Sequence, residues 1–192
     1  MIHGGKGFFI YRERKRRGDV LNIMVLGVGS ILMMDEGIGI RAIEELQARY
    51  LFPENVELLD GGTSGIELLS YISGKDYLII IDAIKGGMIP GTVLKVEGAD
   101  VHAKFRTRIS PHQIGISDLL ASACLTGELP KQLVLFGIEP KTIQMGIGFS
   151  NEVRARFDHL LEVVVGELER LGVMVQPREH NPDAAESIWG RM

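Results

Sequence analysis

Four apolar runs, each broken by glycine or an acid, constrain this chain more than any other feature. They fall at residues 22–29, 56–60, 77–84 and 132–138, and stretches with helical spacing separate them. A continuous apolar run suits a strand covered on both faces, which is how parallel sheets are built. Strands alternating with helices give right-handed crossovers and an open sheet with helices on both sides. The expected fold is therefore a three-layer α/β/α sandwich. Its sheet is mostly parallel, with about five twisted strands.

The connecting stretches support this. After Gly37, apolar residues return at Ile40, Ile43, Leu46 and Tyr50, one side of a helix, and Pro53 closes the unit. Ser64 and Glu67 have the spacing of a capping box, predicting a helix that stops at Gly74. Residues 92–96 alternate like a strand, but the turn at Pro90-Gly91 is too short for a crossover helix. That strand should run antiparallel at an edge. Residues 98–111 read as irregular, with His112 and Gln113 preceding a short helix over 117–125. Ser150 is the expected cap of a long last helix, with an apolar stripe at Val153, Phe157, Leu160, Val164, Leu168 and Leu171.

The boundaries follow. Residues 1–21 form a glycine- and charge-rich extension, 22–173 a single α/β domain, and 174–192 a polar tail expected to be poorly ordered. The basic run 12–17 before an apolar stretch imitates a secretion signal. That stretch carries two glycines, leads into Asp35-Glu36 and reads better as the first strand. It is also too short and interrupted to span a membrane. One cysteine, Cys124, excludes an intrachain disulfide and fits a reducing compartment, so the cytoplasm is expected. A net charge of −4 gives no reason to expect nucleic acid.

A sheet with strand order 2-1-3 at its start places ligands at the strand C-termini, where the order reverses. The first strand carries Asp35 and Glu36 beyond its end, and the third carries Asp82. Gly27 and Gly29 imitate a dinucleotide loop, but the third glycine position holds Leu32. Two acids would also face the pyrophosphate, a repulsion of roughly 4 kcal/mol in a partly buried site. Asp35 or Glu36 would serve as a helix cap worth roughly 0.3–1 kcal/mol, which leaves the second acid unexplained. Asp82 interrupts an apolar strand end and must be paired, protonated or ligated, the loop amides beside Gly86-Gly87 being one partner. With His112 these groups make an O, O, N donor set suited to a first-row divalent ion. Asp60, followed by Gly61, Gly62 and Thr63, is a further acidic strand end, either a capping turn or a substrate-orienting element. The signatures of serine hydrolases and zincins are lacking.

Together these motifs resemble the NiFe-hydrogenase maturation endopeptidases. The matching stretches are Gly27-Val28-Gly29-Ser30 leading to Asp35-Glu36-Gly37, then Asp60-Gly61-Gly62-Thr63, then Ile81-Asp82-Ala83. Ser110-Pro111-His112-Gln113, Gly137-Ile138-Glu139-Pro140 and the glycine loop before Ser150-Asn151-Glu152-Val153 follow in order. Ser30 stands where many relatives have asparagine. The resemblance implies removal of a C-terminal peptide from the hydrogenase large-subunit precursor after nickel insertion. It assigns Glu36, Asp82 and His112 as metal ligands and catalytic groups, and nickel as a metal carried by the substrate. Gly61, Gly62 and Thr63 become substrate-positioning residues, with Asp35 and Asp60 supporting them or acting as base or orienter. A nickel-sensing chaperone that binds the precursor without cutting it, and a general metallopeptidase with its own zinc, are the alternatives.

Overall fold

The structure, a computed structural model, describes residues 20–106 and 111–178. The expectations for residues 1–19, for 107–110 and for the tail beyond 178 lie outside them. In chain order the elements are β1 (Ile23–Val28), α1 (Ile38–Arg49), β2 (Tyr50–Leu51), β3 (Val56–Gly62), α2 (Leu69–Ile72) and β4 (Tyr77–Ala83). They continue with β5 (Val93–Glu97), α3 (Ala99–Arg106), α4 (Pro111–Thr126), β6 (Gln132–Ile138), α5 (Asn151–Arg170) and β7 (Gln176–Pro177). Two 3-10 turns, Met34–Gly37 and Ile66–Leu68, lead into α1 and α2.

The main sheet has the order β3-β1-β4-β6-β5. The first four strands are mutually parallel, and β5 pairs antiparallel with β6 at the edge. Strands β1 and β4 are buried along their whole length, as their continuous apolar runs require. Side chains alternate between two cores. Ile23, Val25, Ile79 and Ile81 pack with α1 and α5 on one face. Met24, Leu26, Leu78 and Ile80 pack with α2, α3 and α4 on the other. The three-layer sandwich with one antiparallel edge is the expected fold.

Some elements differ from the sequence reading. Residues 99–106 form a helix rather than irregular chain, anchored by the fully buried Val101. Helix α4 starts at Pro111, so His112 and Gln113 lie inside its first turn instead of preceding it. Proline at a first helical position lacks only an N–H that would be orphaned there. The capping box is half formed: Gly65, not Ser64, caps the turn, and its N–H donates to Glu67 Oε2 at 3.1 Å. In the tail, β7 pairs antiparallel with β2. Ser150 caps α5 as expected, its hydroxyl accepting from the Val153 N–H.

A polar cluster ties β4 and β5 to α5. Tyr77 donates its hydroxyl to Glu167 Oε1 at 2.5 Å, and Lys95 reaches Oε2 at 2.9 Å. Arg170 grips both oxygens, at 2.7 and 3.0 Å. Chiefly through the Arg170 hydrogen bonds, the Glu167 carboxyl is held down at about 2. Burial and the Glu167 contact push the Tyr77 hydroxyl up.

Candidate active site

The strand order reverses between β1 and β4, so a crevice opens at their C-terminal ends. Gly27 of β1 is level with Asp60 on one side and Ile81 on the other, which sets Asp82 one step beyond. Asp82 is fully buried and level with Gly137 of β6.

Glycines bring Glu36 to this crevice. Gly29 has φ +129°, and a Cβ there would lie 1.9 Å from the Glu36 carbonyl oxygen. Only glycine permits that fold-back. The 3-10 turn carrying Glu36 then packs against β4, and Glu36 is 6% exposed. Gly27 acts differently. A Cβ there would collide with the Gly39 carbonyl at 2.1 Å, so its absence admits α1 to close contact with β1. Met34 of the same turn as Glu36 adopts φ 48°, costly for a side chain of this size. Met33 and Met34 are half-buried, and backbone bonds pair their loop with Gly146.

Asp35 turns away from its neighbour. It is fully buried, and its carboxylate accepts four hydrogen bonds from the loop before α5. The donors are the Lys141 N–H at 2.9 Å, the Thr142 N–H at 3.0 Å, the Ser150 N–H at 2.7 Å and the Ser150 hydroxyl at 2.8 Å. No capping bond from this side chain reaches the following helix. The helix-cap reading is therefore replaced: Asp35 is a clasp between two loops. Three of these donors meet Oδ2 and one meets Oδ1, which fixes the carboxylate's orientation.

Asp60 is exposed and accepts from the Gly62 N–H at 2.8 Å, closing its own turn. Gly61 is buried, Gly62 has φ 52°, and Thr63 is exposed. The Gly62 carbonyl accepts from the Gly29 N–H at 2.9 Å, which ties this turn to the one carrying Glu36. The loop then crosses α4 at a glycine pair, where a Cβ on Gly115 would meet Gly65 Cα at 3.0 Å. Gly115 is one turn along from His112. The His112 backbone is thus placed on the far side of the glycine-rich turn, and its imidazole lies outside the described residues.

Glu139, from the stretch Gly137-Ile138-Glu139-Pro140, adds a further buried acid that the site prediction does not include. It is 4% exposed and accepts from the N–H groups of Gly86 at 2.7 Å and Gly87 at 3.2 Å. These are the loop amides expected as partners of Asp82. The signal in the sequence was an acid closing an apolar strand, the same feature that singled out Asp82.

Glu36, in the 3-10 turn against β4, and Asp82, near the end of β4, are therefore two buried carboxylates of the hard oxygen type that would suit a divalent cation. Among the described residues no three His, Cys, Asp or Glu side chains form a metal-holding group, and the third predicted donor, the His112 imidazole, is not among them.

A doubly wound sheet with two buried carboxylates near its switch point defines a class of α/β protein that places its chemistry at the strand C-termini. Comparison with known proteins narrows this. The hydrogenase maturation protease family model HycI matches residues 40–167, and the chain belongs to that family. It is 45% identical over 160 residues to the hydrogenase 2 maturation protease of Escherichia coli, covering 83% of this chain and 98% of the relative. HupM of Azotobacter chroococcum, a hydrogenase expression/formation protein, is 41% identical, with 84% of this chain and 78% of that protein covered. The solved structure of the hydrogenase maturating endopeptidase HybD from E. coli superposes with a TM-score of 0.80, covering 82% of this chain and 98% of that one.

Proposed function

We propose that this protein is an endopeptidase that removes the C-terminal extension of a hydrogenase large-subunit precursor after nickel insertion. The observation that carries this reading is two buried carboxylates, Asp82 near the end of β4 and Glu36 in the 3-10 turn that packs against β4, in a chain 45% identical to a hydrogenase maturation protease. In this account Glu36, Asp82 and His112 hold the nickel that the precursor carries. Held by these residues, the substrate's metal would supply Lewis-acid chemistry, polarising the scissile carbonyl or lowering the pKa of a water. The turn Gly61, Gly62 and Thr63 lies along the same crevice and orients the peptide, with Asp60 on its exposed rim. Asp35 keeps its clasp role. The single cysteine supports cytoplasmic action, and no described helix is long and apolar enough to cross a membrane.

The test is incubation of the purified protein with precursor, with and without nickel, followed by mass spectrometry of the large subunit. A mass reduced by the C-terminal extension in the nickel-loaded sample alone is expected. Stable binding with unchanged mass would instead mark a nickel-sensing chaperone, and a stoichiometric resident zinc would mark a general metallopeptidase.

A further inference from the structure

We propose that Glu139 is a positioning residue for this reaction, bracing the chain that leaves Asp82 against the turn that carries Glu36. The proposal rests on the functional reading above. The strand ladder fixes Asp82 itself, but the ladder ends at Ala83 and Ile138. Beyond it the chain runs along the crevice through Gly86 and Gly87, neither of which has a side chain to anchor it. Glu139 supplies the anchor. Its two oxygens take one glycine N–H each, at 2.7 and 3.2 Å. Backbone bonds complete the hold: Ile84 N–H to the Ile138 carbonyl, and Gly91 N–H to the Glu139 carbonyl, both 2.8 Å.

The same short segment reaches across the crevice. Past Glu139 come Pro140, buried and with its φ fixed by the ring, and then Lys141 and Thr142. The amides of Lys141 and Thr142 donate to Asp35. Asp35 is the sequence neighbour of Glu36. Two buried carboxylates thus tie residues 139–142 to both loops, Glu139 to the loop after Asp82 and Asp35 to the turn that carries Glu36. A carboxylate accepting amide bonds makes short, strong, directional contacts, which suits a brace. Small displacements at a reacting centre lower turnover steeply while leaving remote binding intact. Glu139 therefore acts on kcat through the placement of the loop after Asp82 relative to the Glu36 turn, without touching substrate.

The test uses Glu139→Gln, which keeps shape but turns an NH2 toward a glycine N–H. With nickel-loaded precursor, kcat is expected to fall about tenfold or more with KM unchanged within about twofold. Hydrogen exchange should quicken at Gly86 and Gly87, and also across the brace at Lys141 and Thr142. A kcat like that of the wild type, a rise in KM alone, or quickened exchange that stops at the two glycines would overturn the proposal. Should this variant not fold, Glu139→Asp, which keeps the charge but draws the oxygens back, carries the same two measurements with the same outcomes. The exchange measurement needs no cleavage. Wild-type inactivity would therefore count against the proposed function, and the exchange result against the brace.

Discussion

Ser150 gives Asp35 both its backbone N–H, at 2.7 Å, and its hydroxyl, at 2.8 Å, across 115 residues of sequence. The same hydroxyl accepts from Val153 and caps α5. One serine thus starts the last helix and seats the buried acid beside Glu36. Asp35→Ala leaves three amides and this hydroxyl without their acceptor. We expect a loss of about 3 kcal/mol or more, since each buried orphan costs about 1–3 kcal/mol and local relaxation recovers part of that. Urea denaturation at neutral pH measures it, and precursor processing should fall with it.

That contact also explains where the sequence stopped being legible. Continuous apolar runs are strong signals, so the four parallel strands, the order of the first three and the antiparallel edge were legible, whereas the insertion of β6 between β4 and the edge strand and the short β2-β7 pair leave no local pattern. Asp35 and Glu36 are adjacent acids in one turn, and their difference lies in a loop far along the chain. No local pattern separates them. Glu139 closes an apolar strand as Asp82 does, but its partners are bare glycine amides some fifty residues away, which no local pattern reveals. Helix α3 was hidden since only Val101 among its described side chains is buried, leaving too faint an apolar stripe to mark a helix. Proline at 111 looked like a boundary but opens α4, which moved His112 into the helix.

Gly29→Ala should abolish processing. Its Cβ would sit 1.9 Å from the Glu36 carbonyl at a φ of +129°, so the turn must move. Gly166→Ala is the control, because a Cβ there meets nothing within 4 Å. It lies within α5 and should leave processing unchanged while stabilising the protein by about 0.5–1 kcal/mol. Parallel denaturation and cleavage assays read both effects.

Gly115→Ala tests the crossing of α4 over the glycine-rich turn. A Cβ 3.0 Å from Gly65 Cα pushes the helix and its first turn outward by a few tenths of an ångström. Turnover should fall by about tenfold, as expected for a misplaced functional group, with a thermal midpoint close to that of the wild type. Unchanged turnover would show that the helix start does not contribute to the site.

Acid stability should depend on Glu167. Its folded carboxyl titrates at about 2, below its ordinary value of 4.5. A depressed carboxyl contributes stability above its unfolded value, and that contribution is lost as pH falls through the folded one. The loss therefore falls between about pH 4.5 and 2. Glu167→Gln should be less stable at neutral pH, by about 1.5–3 kcal/mol from weakened charged hydrogen bonds. It should also lose less on acidification. Denaturation curves at pH 7 and pH 3 for both proteins give the comparison.

The most direct test of the central claim is processing of nickel-loaded precursor by Asp82→Asn, Glu36→Gln and His112→Ala, read as the mass of the large subunit. The account predicts that folded variants at all three positions leave the precursor uncut, while the wild type shortens it. Normal cleavage by Asp82→Asn and His112→Ala would contradict the assignment of these residues as the groups that hold the substrate's metal.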